Sequence, residues 1–228
     1  MTFQAHPSVD AVLSSSAPAA TRAHRALLDA IVSGATPPGE LLTEGEVSVA
    51  LGMSRTPVRE AFLELERESM LRLYPKRGAI VSHLDERGLR ELLDTRFMFE
   101  STAAGWIAAR HDDRSELDTA LLDAALQEAL AKQRVAAPDD DALAFSAADH
   151  LFHELVVAAA GNPLTTRLFG LTGPLLQRAI HSMVSRGSDV RMRVIDEHAH
   201  LASLLVAGDG AGYRDALTRH IGEHFAAR

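Results

Sequence analysis

The pattern of hydrophobic and polar positions changes character near Val81. Before it, short amphipathic helices alternate with short apolar strands; after it, strand-like segments disappear. Thr21 to Ser33 carries Leu27, Leu28, Ile31 and Val32 on one helical stripe, and Gly34 with Pro37-Pro38-Gly39 ends it before a short Leu41-Leu42 strand. Thr43 is placed to cap the next helix, with Glu46 completing a capping box, and Gly52-Met53 forms the turn that follows. A further helix is capped by Ser54, accepts Pro57 in its first turn and repeats Val58, Ala61, Phe62 and Leu65 at i, i+3, i+4 and i+7. Leu71 to Leu73 and Ala79 to Val81 then pair across the turn YPKRG.

This order of elements predicts a winged helix-turn-helix. The periodicity puts Arg55 and Arg59 on the face opposite the apolar stripe, at the start of the second helix, with Thr56 beside them. A recognition helix presents these positions to base edges and phosphates in the major groove. Lys76 and Arg77 fall at the tip of the hairpin, where a wing meets the DNA backbone or the minor groove. Taken alone, such an Arg pair is equally a solvated surface, with Arg59 paired to a neighbouring carboxylate such as Glu64.

Beyond a joint at 82–84 the spacing predicts six helices: Asp85 to Arg110, Ser115 to Gln133, Asp141 to Ala160, Leu164 to Val184, Ser188 to Val206 and Gly212 to Phe225. Ser115 caps the second, Gly161-Asn162-Pro163 closes the third, and Gly170, Gly173 and Pro174 weaken or bend the fourth. Short connections make this an all-α antiparallel six-helix bundle. The domain expectation is therefore an arm at 1–19, flexible because no period is sustained there, a DNA-binding domain at 20–81, a linker at 82–84 and a helical domain at 85–228.

Composition narrows the setting. With 228 residues and 46% hydrophobic content the chain can fill two modest cores, and the absence of cysteine excludes disulfides and thiolate metal sites. No run of 18 apolar residues occurs, so a soluble, cytoplasmic protein without a membrane partner is expected. Residues 20–81 hold eight Lys/Arg and eight Asp/Glu, so the DNA-binding segment is neutral and most of the formal charge of −8 lies elsewhere. Binding then depends on where the basic residues stand, and a homodimer on a palindromic operator doubles the few contacts available.

Four polar residues stand out in the bundle. Asp149 and His153, four apart, leave the same face of one helix as a two-ligand clip. His198 and His220 lie on consecutive helices joined across Gly208-Asp209-Gly210, and an antiparallel pair brings both toward that clip. One carboxylate and three imidazoles suit Zn²⁺, with Ni²⁺, Co²⁺ or Mn²⁺ as alternatives. His150, His200 and His224 offer competing combinations on spacing alone.

The segments GMSRTPVREAFLELERESML and PKRG resemble the winged helix-turn-helix of the GntR family of bacterial transcription regulators. AADHLFHELVVAAAGNPL, DEHAHLASLLVAGD and DALTRHI resemble the C-terminal FCD ligand-binding domain of its FadR-like group, so that the likeness runs from about Thr21 to Ala226. The resemblance implies DNA contacts at Arg55, Thr56 and Arg59, a wing tip including Gly78, and a metal held by Asp149, His153, His198 and His220. It also implies that Arg96, in LLDTRFMFE, faces an effector pocket and can clamp a carboxylate, with Arg178 as a weaker second candidate; the alternative for Arg96 is an intrahelical pair with Glu100. Leu41 departs from a commonly basic position, and Ser69-Met70 replaces the usual Gly-Leu. A transcription regulator responding to a small organic acid is the expectation, and it is not an enzyme. A metal-dependent hydrolase or isomerase with a DNA-binding appendage is the alternative, for which Glu154 and Glu197 are only nominal general bases.

Overall fold

The computed structural model describes Phe3 and residues 12–113, 115–138 and 141–225. The chain divides after Asp85 into two compact units. Most of the expected N-terminal arm lies outside the described residues; of the rest, Phe3 is buried and Arg22 donates to the carbonyls of Ser15 and Ala17.

The N-terminal unit contains α1 (Ala19–Val32), β1 (Leu41–Leu42), α2 (Glu44–Leu51), α3 (Arg55–Arg67), β2 (Leu71–Tyr74) and β3 (Gly78–Val81). The apolar stripes do what their spacing requires: Leu27 and Ile31 of α1 are buried, as are Val58, Ala61, Phe62 and Leu65 of α3, and α1 packs on α3. The strands form one antiparallel sheet in the order β1-β3-β2, with Leu41 opposite Ile80 and Tyr74 opposite Gly78. Thr43 caps α2 through Oγ1, which accepts the Glu46 N–H at 3.2 Å and donates to the Glu46 carboxylate at 2.7 Å. Ser54 occupies the N-cap position of α3 in extended conformation, yet its side chain makes no capping bond, contrary to expectation.

The same C-terminal device ends α2 and α3. Met53 N–H bonds Ser48 and Gly52 N–H bonds Val49; Met70 N–H bonds Leu65 and Ser69 N–H bonds Glu66. In each case the residue after the cap is left-handed, Gly52 at φ 62° and Ser69 at φ 60°. A serine thus holds a conformation in which a Cβ crowds the backbone. In the wing, Arg77 N–H closes a turn on the Tyr74 carbonyl at 3.0 Å, with Pro75 and Lys76 between them. Lys76 has φ 63°, as the third residue of a type II turn requires. Gly78 has a different reason to be glycine: at φ 113° a Cβ would stand 2.1 Å from the Leu42 carbonyl oxygen.

The helical unit contains α4 (Glu86–Ala109), α5 (Glu116–Ala136), α6 (Ala142–Ala159), α7 (Pro163–Gly170), α8 (Gly173–Val184), α9 (Ser188–Val206) and α10 (Gly210–Phe225). The fourth expected segment is broken rather than bent, at Leu171-Thr172. Pro174 lacks the N–H that a continuous helix needs and is accommodated in the first turn of α8 instead. Ser115, Asp141 and Asn162 cap α5, α6 and α7 with their side chains.

Helix α6 is the centre of the unit and packs on α4, α5, α7 and α8. Among the described residues it alone is long and apolar enough to cross a membrane, but Phe145, Phe152, Val156 and Val157 are buried in the bundle, where a core helix places them. Gly208, left-handed at φ 71°, turns α9 into α10, which pack on each other as the spacing of their histidines requires.

Ser69→Gly is expected to raise the thermal stability of the N-terminal unit by up to about 1 kcal/mol, because relief of the left-handed Cβ slightly exceeds the added unfolded-state entropy. Gly78→Ala is expected to cost about 3 kcal/mol or more, because the strand cannot admit a Cβ beside Leu42 without moving. Calorimetric or fluorescence melting of both variants tests the pair; equal, small shifts would contradict the assignment of strain to these two positions.

Candidate functional site

Three helices carry the predicted ligands into the core of the helical unit. Asp149 and His153 come from consecutive turns of α6, His198 from α9 and His220 from α10, and all four are buried. One nitrogen from each of His153, His198 and His220 lies within 4.8 Å of the other two. The Nε2 atoms of His153 and His198 are 3.1 Å apart. Asp149 Oδ2 is 3.6 Å from His153 Nε2, and Oδ1 is 3.6 Å from His198 Nε2.

The other nitrogen of each ring is tied to an oxygen. His153 Nδ1 donates to Glu100 Oε2 at 2.7 Å and His220 Nδ1 to Glu197 Oε2 at 2.6 Å. His198 Nδ1 lies 2.9 Å from Gln133 Nε2 and 3.0 Å from Gln133 Oε1, so the amide can donate to it through nitrogen or accept its proton through oxygen. The carboxylates hold Nδ1–H tautomers at His153 and His220, and Gln133 holds the same tautomer at His198 when its oxygen accepts, an arrangement in which three Nε2 lone pairs point inward at one another. Such convergence is unfavourable unless positive charge sits among the lone pairs. Two imidazoles bound tetrahedrally to one Zn²⁺ with bonds of about 2.0–2.1 Å have nitrogens roughly 3.3–3.4 Å apart, slightly more than the 3.1 Å between His153 and His198. Asp149 Oδ2 is buried with no hydrogen-bond partner among the described residues, as a carboxylate kept for a cation would be. The donor set therefore fits a divalent metal ion.

Burial sets the protonation. It pushes the Asp149 carboxyl up to about 7, against the pull of the Arg96 guanidinium. It also drives His153 and His198 well below the ordinary histidine range and lowers His220, aided in each case by Arg96. Neutral imidazoles are the form that binds metals. Glu197 is opposed by its own burial, yet hydrogen bonds from His220 and His224 hold its carboxyl down at about 2.

Arg96 of α4 reaches the same place. Its Nε donates to Glu100 Oε1 at 2.8 Å, and its Nη2 donates to His153 Nε2 and, at 3.1 Å, to His220 Nε2. The intrahelical pair with Glu100 is made, and the same guanidinium faces the histidines. Tyr213 completes the shell by donating to Glu100 Oε2 at 2.9 Å. Arg178 is partly buried on α8, which lowers its pKa.

Of the competing histidines, His200 is exposed, and His150 packs instead on Phe169 and Gly173, where a Cβ would come within 2.5 Å of its ring. Burial lowers His150 to about 4. His224 bonds Glu197 and so belongs behind His220. Sequence reasoning missed Gln133 and Tyr213. Their only signal is a polar group on an apolar stripe: Gln133 follows Leu126, Ala129 and Leu130, and Tyr213 lies seven residues before His220 on α10.

In the N-terminal unit, α3 and the wing border a groove of about 840 Å³ lined by Arg55, Arg59, Lys76, Arg77 and Gly78 among others. Thr56 is exposed next to Arg55. Among the described residues, the side chains of Arg55, Arg59, Lys76 and Arg77 form no hydrogen bond or ion pair, whereas Glu64 pairs with Arg67 at 2.6 Å. The local pairing considered for Arg59 is not made.

Each of the two units matches a known protein family. Residues 19–81 match the bacterial regulatory proteins of the gntR family, and residues 91–223 match the FCD domain. A probable D-xylose utilization operon transcriptional repressor of Paenarthrobacter nicotinovorans is 30% identical over 198 residues, covering 86% of this chain and 83% of that protein. An uncharacterized HTH-type transcriptional regulator of Agrobacterium vitis, from the TAR-I ttuE-ttuC' intergenic region, is 34% identical over 147 residues, 64% of this chain and 83% of the relative. The solved structure of Escherichia coli McbR/YncC shares the fold, with a TM-score of 0.74 at 23% identity over 92% of this chain and 96% of that one. These matches are to regulators rather than to enzymes, and bacterial regulators of this kind meet their DNA in the cytoplasm. The chain belongs to the GntR family of bacterial transcription regulators, with an N-terminal winged helix-turn-helix and a C-terminal FCD domain.

Proposed function

We propose that this regulator binds a palindromic operator as a homodimer and that a small carboxylate, bound beside a divalent metal in the helical domain, controls that binding. Asp149, His153, His198 and His220 hold the metal, with Zn²⁺ the first candidate and Ni²⁺, Co²⁺ or Mn²⁺ alternatives. The observation that supports the metal reading is the convergence of one nitrogen from each of His153, His198 and His220 within 4.8 Å of one another, with a buried Asp149 oxygen that has no hydrogen-bond partner among the described residues 3.6 Å from His153 Nε2. When bound, the ion supplies a positive centre that attracts an anionic oxygen. Arg96 supplies the second contact for the effector's carboxylate, and Arg178 is a further candidate contact from α8.

On the DNA side, Arg55, Thr56 and Arg59 read the major groove, while Lys76, Arg77 and the Gly78 turn bring the wing to the backbone. Among the described residues these four basic side chains make no hydrogen bond or ion pair, which leaves them available to phosphates and base edges. Because the segment is neutral overall, one copy makes few phosphate contacts and two copies are needed for tight binding.

Arg59→Ala is expected to weaken binding to the palindrome by about 1–3 kcal/mol and relax its sequence preference, whereas Lys76→Ala lowers affinity for all sequences and flattens the salt dependence. Titrations at several fixed salt concentrations distinguish the two. Equal affinity for a half-site and a full site would remove the homodimer.

Protein purified without a polyhistidine tag is expected to contain about one metal per chain by elemental analysis, and chelation should lower both its melting temperature and its affinity for carboxylates. Asp149→Asn separates the two roles of that residue. In metal-free protein the amide avoids the burial of a carboxylate, so stability at pH 8 holds or rises; with metal present, the gain in melting temperature shrinks. A metal-free wild type with unchanged stability and carboxylate response would sink the metal reading. Arg96→Ala should lower carboxylate binding while metal content stays near one per chain.

A further inference from the structure

Arg96 is placed to do more than greet an anion. Its Nη2 donates to Nε2 of both His153 and His220, the same atoms that would bind the metal. An imidazole Nε2 has one in-plane lone pair, which serves either an N–H donor or a metal ion. A guanidinium is a cation, and here it is only 1% exposed, so its repulsion from a divalent cation would be weakly screened.

We infer that the Arg96 guanidinium competes with the metal for His153 and His220, and that a carboxylate ends the competition by drawing the guanidinium away, so metal and carboxylate bind as a cooperative pair. The inference rests on the metal reading proposed above and adds the coupling between its two ligands.

The surrounding bonds favour this exchange. Glu100 Oε1 holds Arg96 at Nε, while Glu100 Oε2 is fixed by His153 and Tyr213, so one edge of the guanidinium is anchored and the Nη end is the part that can turn. Turning away from the imidazoles strands two donors in a dry interior, which is unfavourable unless new acceptors arrive. A carboxylate provides two in the matching fork. Charge points the same way. Arg96 and Glu100 balance each other, and a divalent ion with Asp149 as its one anionic ligand leaves about +1, which a single carboxylate neutralises. The ligand class is accordingly a small acid presenting one carboxylate to the site. Reciprocity follows, since a carboxylate that favours the metal must itself be bound more tightly when the metal is there.

The test is calorimetric titration of untagged full-length protein with Co²⁺, with and without acetate, a weak chelator, while the visible Co²⁺ bands report coordination. Wild type is expected to bind Co²⁺ about tenfold or more tightly in acetate. Because Arg96→Met alone leaves the Glu100 carboxylate short of a partner, the Arg96→Met/Glu100→Gln double variant is measured beside it; Gln can still accept from His153 Nδ1. Both variants are expected to bind Co²⁺ in buffer more tightly than wild type does in buffer, and to gain less from acetate than wild type gains. Wild-type affinity unchanged by acetate, or an acetate effect as large in the double variant as in wild type, overturns the inference and leaves the metal site standing. Failure of every protein to bind Co²⁺ overturns the metal reading and the inference together.

Discussion

The Glu100 carboxylate is the fixed point of the helical unit. It lies fully buried on α4 and receives three donors: Arg96, His153 and Tyr213. A buried carboxylate is tolerated only when it is paired and hydrogen-bonded, and each of its donors comes with a structural consequence. The Arg96 bond fixes one edge of the guanidinium. The His153 bond selects the tautomer whose Nε2 faces the cluster. The Tyr213 bond ties α10 to α4, and α10 carries His220. One charge on α4 thereby orients groups from α6 and α10, and the neighbouring anchors Glu197 and Gln133 repeat the device for His220 and His198.

Such polarity is costly in the middle of an apolar bundle, and α6 shows how it is accommodated. Asp149 and His153 share a helix with Phe145, Phe152, Val156 and Val157, all buried. Phe152 stacks on His198 with centroids 4.5 Å apart and meets His153 edge-on, so the aromatic ring walls the polar cluster and limits the rotation of two imidazoles. Packing and polarity are therefore not separate layers here. The apolar side chains that stabilise the bundle also hold the ring planes that aim the nitrogens.

Much of this was legible in the sequence because helical spacing is a local rule. Four residues separate Asp149 from His153, and a short turn separates the helices of His198 and His220, so their convergence needed only an antiparallel pair. Gln133 and Tyr213 escaped because a lone polar group on an apolar stripe does not name its partner; that depends on which helices meet, a long-range property. The same limit explains α7 and α8. Gly170, Gly173 and Pro174 announce a weak point, but whether a helix bends or breaks there is settled by its neighbours, including the close fit of Gly173 against His150. Ser54 is another instance: the residue type suits a cap, while the capping bond itself was not formed.

In the N-terminal unit the same logic operates in reverse, on the surface. Net charge gives no attraction to nucleic acid, so what distinguishes this face is the pairing state of individual residues. Three acidic side chains nearby are already occupied: Glu64 holds Arg67, Glu46 bonds Thr43, and Glu66 accepts the Leu73 N–H at 3.0 Å. Each engagement removes a competitor for Arg55, Arg59, Lys76 and Arg77, which stay free, and the Glu66 bond also ties α3 to β2 and so fixes the wing against the helix. A neutral segment can in this way present a locally basic groove, with its acids spent on holding the groove's shape.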